Sequence, residues 1–148
     1  IGFGAARLAP SRFRSMILGG AYPFAEDLAA LRALLPTEQD KFAATMAPAY
    51  GSHLTDGIRR RLPENDLRAI MALMGDREDS SDGLPKMTMP CLLICGDEDP
   101  RLAAVRDCAA RMPDATLIEP PGCGHVAALA RLDLTLPSIL SFLDRVGP

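Results

Sequence analysis

Two segments, Leu92-Leu93-Ile94-Cys95-Gly96-Asp97-Glu98-Asp99-Pro100 and Pro120-Pro121-Gly122-Cys123-Gly124-His125, organise this chain. Each carries one acid–base residue on a Gly-containing turn that follows an apolar run. Cys91 to Cys95 is continuously apolar, as a strand buried on both faces requires, and Ala115 to Glu119 reads as another strand. Between them, 101–112 reads as a helix with Leu102, Val105, Ala109 and Met112 on one side. The remainder, to about Val146, reads as helical with Leu136, Ile139, Leu140 and Leu143 facing inward. Strand, helix, strand and helix in short succession predict parallel strands with crossover connections.

Ligands of such sheets bind beyond the carboxyl ends of the strands. Asp99 and His125 both fall there, and adjacent strands lie about 4.8 Å apart. The two side chains can therefore meet. A carboxylate against one imidazole nitrogen fixes the tautomer and stabilises the imidazolium formed when the other nitrogen takes a proton. The pair is predicted to be the acid and base of a nucleophile–His–acid arrangement. The nucleophile itself is missing: neither a Gly-x-Ser-x-Gly turn nor a Cys or Asp version of it occurs in the 148 residues.

Competing roles exist for these residues. An acid after a strand often only forms a turn or caps a helix, and Asp97 and Glu98 compete with Asp99 for the acid's part. Cys123 lies two residues from His125 on one loop, where side chains tend to diverge, which argues against a Cys–His nucleophilic pair. His53, beside Ser52, reads as a surface residue, and Met71 and Met74 read as packing.

Upstream, residues 1–8 read as a helix stopped by Pro10, and 14–18 as a strand closed by Gly19-Gly20. From about Phe24 to Asp76 the pattern is helical only. Leu28, Leu31 and Leu35 recur at helical spacing, as do Phe42 with Met46 and Leu67 with Ile70, Met71 and Met74. Thr37 with Asp40 resembles a capping box, and Asn65 suits an N-cap. Pro36, Pro48, Gly51 and Pro63 divide the segment into three or four short helices, and 76–86 reads as a loop.

Net charge is −3 and the basic residues are scattered, which leaves no electrostatic footprint for nucleic acid or an anionic membrane. The one basic run, Arg59-Arg60-Arg61, reads as a solvated helix face. The four cysteines, Cys91, Cys95, Cys108 and Cys123, match neither zinc nor CxxC spacing, so no metal or cofactor is implied. Cys91 and Cys95 flank an apolar run and read as small buried residues, which points to a reducing, cytoplasmic setting. No signal peptide or membrane-length apolar stretch is visible. The chain opens without Met, inside the apolar segment Ile1-Gly2-Phe3-Gly4-Ala5-Ala6, and reads as a piece of a longer protein.

These motifs resemble the C-terminal half of an α/β-hydrolase. Gly96-Asp97-Glu98-Asp99 is similar to the family's Gly-x-x-Asp acid turn, and Pro121-Gly122-Cys123-Gly124-His125 to its histidine loop. The interval of 26 positions from Asp99 to His125 matches as well. The resemblance implies an α/β fold of three parallel strands with flanking helices and an inserted helical cap. It divides the chain into a core, 1–23 and 77–148, and a cap, 24–76. It implies Asp99 as acid, His125 as base and Gly20 to Phe24 as a pocket wall, with Tyr22, Phe24 and Val126 contacting substrate. It further implies hydrolysis of an ester, lactone or related bond in a small apolar substrate, with a nucleophile of unsettled type (Ser, Cys or Asp) upstream of Ile1. The expected partner is a complementary N-terminal segment or a second copy. A non-catalytic fragment that only folds or pairs is the alternative.

Overall fold

A computed structural model describes residues 1–50 and 54–147, with the side chains of Leu31 and Ala49 excepted. The expectations for Gly51, Ser52 and His53, and for the side chain of Leu31, therefore lie outside what is described. Two compact units form, one of Ile1–Phe24 with Asp79–Pro148 and the other of Ala25–Glu78.

The first unit is built on a parallel sheet of β1 (Met16–Gly19), β2 (Cys91–Ile94) and β3 (Ala115–Ile118), in that order. Met16 sits opposite Cys91, and Cys91 opposite Ala115. The ladder starts where the Met16 N–H donates to the Pro90 carbonyl, so Arg14 and Ser15 precede the strand instead of opening it. All four residues of β2 are buried, as its continuous apolar run requires of a central strand. Side chains alternate across it. Cys91 and Leu93 join Phe3 and Ala6 of α1 (Gly2–Leu8) and Val105 and Cys108 of α6 (Leu102–Ala110) in one core. Leu92 and Ile94 meet Phe142 of α8 (Leu132–Val146) in a second. A short helix, α7 (Ala127–Ala130), precedes α8.

Two further expectations are corrected. Residues 76–86 do not form a plain loop, because Ser81–Lys86 is a 3-10 segment whose Leu84 is buried in the first core. On α8 the buried residues are Thr135 and Phe142, with Ile139 and Val146 packed beside Phe142. Leu136, Leu140 and Leu143 are exposed. The helix is apolar on more than one side, and the leucine spacing alone picked the wrong one.

The second unit is helical: α2 (Ala29–Leu34), α3 (Gln39–Tyr50), α4 (Asp56–Arg61) and α5 (Leu67–Leu73). Its ends are tied by an antiparallel bridge in which Glu26 and Arg77 exchange both backbone hydrogen bonds. Leu28, Phe42 and Leu62 are buried. The Gln39 amide donates to the Pro63 and Asn65 carbonyls. Thr55 caps α4 through the Ile58 N–H. Asp66, not Asn65, caps α5, its carboxylate accepting from Arg68 and Ala69. Asn65 instead donates to the Leu62 carbonyl, closing the turn before it. Pro48 lies inside α3, two residues before its end at Tyr50, and does not divide it. Helix α3 begins at Gln39, out of register with a cap at Thr37.

Candidate active site

After β2 the chain passes through Cys95 and turns at Gly96–Asp99, with the Asp99 N–H returning to the Gly96 carbonyl at 3.1 Å. After β3 it runs through Pro120–Gly124 to His125. The two loops are stitched together. The Glu98 N–H donates to the Cys123 carbonyl (3.1 Å), and the Cys123 N–H donates to the Asp97 carboxylate (3.2 Å). That contact assigns Asp97 a part as a loop clamp and leaves Asp99 free for His125.

Asp99 Oδ2 lies 2.8 Å from His125 Nδ1. The Asp99 side chain is 1% exposed and that of His125 42%. The other carboxylate oxygen, Oδ1, accepts the Arg101 N–H at 2.9 Å, so the acid is fixed at both oxygens. Burial pushes the Asp99 pKa up, but the Arg101 N–H, His125 and the Cys95 thiol together favour the anion and hold it below its ordinary value. Arg101 Nη1 lies 3.2 Å from His125 Nε2. A guanidinium has donors only, so Nε2 is the acceptor. The proton of the neutral ring is then on Nδ1, pointed at Asp99.

In the sequence Arg101 reads only as the start of a helix, and its place at the imidazole is not legible there. Nothing in the local pattern marks it, because the contact depends on how α6 leaves the acid turn. Cys123 is fully buried, and its thiol donates to the Pro121 carbonyl of its own loop. Both ring nitrogens of His125 have other partners, so the structure does not pair Cys123 with His125.

Tyr22 and Phe24, on the segment after β1, have ring centroids 5.8 Å apart, and the Arg111 guanidinium lies 5.1 Å from the Phe24 ring centre. Both pack against the core that holds Leu93 and Cys95. Val126 directly follows His125 at the N-cap of α7, half-buried. A separate groove lies among Leu92, Thr116, Ile118 and Phe142, on the α8 side of the sheet, and neither Asp99 nor His125 lines it. No metal-holding group of His, Cys, Asp and Glu occurs among the described residues, and none of their helices is long and apolar enough to cross a membrane.

Several solved structures share the fold of this chain. A thermophilic esterase from Thermogutta terrifontis, solved with malate bound, superposes with a TM-score of 0.80 over 99% of this chain and 61% of its own, at 20% identity. The chain has a partial α/β-hydrolase fold. MGS-M2, named as an alpha/beta hydrolase enzyme from a deep-sea metagenome library of the Medee basin, matches with a TM-score of 0.69 at 15% identity, over 95% of this chain and 60% of its own. E-2-(acetamidomethylene)succinate hydrolase matches with a TM-score of 0.71 at 23% identity, over 97% and 62%. This chain thus spans about three fifths of the length of these α/β-hydrolases. No family model and no curated protein matches the sequence.

Proposed function

We propose that this chain is the acid–base portion of a hydrolase that cleaves an ester, lactone or related bond in a small apolar substrate. The observation that carries the reading is the 2.8 Å contact of Asp99 Oδ2 with His125 Nδ1 at the ends of adjacent parallel strands. In this reading His125 Nε2 takes the proton of a nucleophile contributed by residues upstream of Ile1 and later returns it to the leaving group. Asp99, buried and kept anionic, holds the ring and stabilises the imidazolium. Nε2 must first exchange its Arg101 contact for the nucleophile's hydrogen, because one lone pair serves one donor. The helical unit 25–78 acts as the cap, and Tyr22, Phe24 and Val126 line the substrate's side of the site.

The second reading is a non-catalytic fragment that folds on, or pairs with, a complementary chain. It is favoured by the same Arg101 contact, which occupies the nitrogen a base must offer.

The test is the intact mass of the protein isolated from its source, followed by its turnover of p-nitrophenyl acetate before and after His125→Ala. A mass well above 15.8 kDa, with turnover that falls by about 10⁴-fold or more in the variant, supports the hydrolase. Near-normal turnover in the variant overturns the assignment of His125. Absence of turnover in a protein of 15.8 kDa favours the second reading.

A further inference from the structure

The geometry points to Gly20 as a positioning residue for the Asp99–His125 pair: the lack of a side chain there sets where the imidazole lies. An ideal Cβ at Gly20 would fall 2.7 Å from His125 Cε1, 2.8 Å from Nδ1 and 3.6 Å from Asp99 Oδ2. The first two distances are well inside carbon–carbon and carbon–nitrogen contact. They fall on the edge of the ring that faces Asp99, so a methyl group there would displace the ring from the nitrogen–carboxylate bond itself.

The backbone cannot retreat to make room. The Gly20 N–H donates to the Ile94 carbonyl at 2.8 Å, and the preceding Gly19 is paired with Ile94 in the ladder. Asp99 cannot retreat either, since its side chain is buried and held at Oδ1 by the Arg101 N–H. The imidazole, much of it exposed, is the group that gives way. Gly20 also has a φ of +54°, a region that glycine enters without steric cost. Conformation alone does not demand glycine, because Asn and Asp visit this region too. Contact with the ring is the stricter requirement, and it links the end of β1 to residues on the two loops that follow β2 and β3.

The placement is a statement about the ring and holds whether or not the chain is part of a hydrolase; any effect on turnover rests on the function proposed above. The test is Gly20→Ala in the full chain, read by proton and nitrogen NMR of the His125 ring. The expected result is loss or a large shift of the Nδ1 proton signal. Gly147→Ala is the control, since Gly147 has a φ of +68° with open space at its Cβ, and it should leave that signal unchanged. Denaturation midpoints of Gly20→Ala, His125→Ala and the double variant complete the cycle. Gly20→Ala should cost less in the His125→Ala background than in the unchanged protein, because the ring that the methyl group meets is gone and only the strain of Ala at positive φ remains. This arm holds even if Gly20→Ala alone folds poorly. An unchanged Nδ1 signal in Gly20→Ala, or midpoint shifts that simply add, overturns the proposal. A positive NMR result in a protein without esterase turnover would leave Gly20 in its positioning role and remove the hydrolase reading alone.

Discussion

A Cβ built on Gly96 would lie 1.9 Å from the carbonyl oxygen of Cys123. The acid turn and the histidine loop therefore touch backbone to backbone, and no side chain fits between them. Gly96→Ala is expected to separate the loops and with them Asp99 from His125. The cost should exceed about 3 kcal/mol, in the range of variants that force backbone movement. Urea denaturation checks this: the midpoint should fall by about 1 M or more. An unchanged midpoint would mean that the two loops are not in this contact in solution.

The carboxyl of Asp99 is expected to titrate below the ordinary Asp range near pH 3.9. Burial works against the anion, and the Arg101 N–H, His125 and Cys95 outweigh it. The sign follows from the lowered folded-state pKa. The stabilisation from Asp99 is fully present above the unfolded value and is lost as pH falls through the folded one. Carboxyl carbon NMR from pH 7 down to 2 measures it. Cys95→Ala removes one of the groups that favour the anion and should move the midpoint upward, whereas a downward move would contradict that contact.

On α8, Phe142 is 4% exposed and Leu140 is 52% exposed. Phe142→Ala should cost about 3 to 5 kcal/mol, as large-to-small changes in a core do. Leu140→Ala should stay within about 0.5 kcal/mol. Thermal or urea unfolding of the two variants decides. Equal losses would show that the leucine face is covered in solution.

The thiols should resist alkylation in the folded protein. All four are buried. Burial pushes Cys91 up to about 11 and Cys95 and Cys108 up to about 12, so these three carry little thiolate at pH 8. Labelling with a thiol reagent at pH 8 should be slow until denaturant is added. Rapid labelling of Cys91, Cys95 or Cys108 without denaturant would contradict this burial.

The sequence alone determined the parallel sheet, the helical segment between its first two strands and the meeting of Asp99 with His125. These follow from local rules. A continuous apolar run must be buried on both faces, and residues that end neighbouring parallel strands must be neighbours themselves. Glycines 20 and 96 were visible as turn formers, but the atoms that forbid side chains there belong to residues far along the chain, His125 and Cys123. Tertiary structure also chose between the two apolar stripes of α8, because periodicity states that a helix has a buried face without saying whether the leucine stripe or the one carrying Ile139, Phe142 and Val146 meets the sheet. It separated Asp97 from Asp99, since an acid turn with three acidic residues assigns no roles until the opposite loop presents one backbone N–H and one imidazole to it. And it set Arg101 against Nε2 of His125, a contact fixed by the path of α6 out of the acid turn and by no pattern in the residues around it.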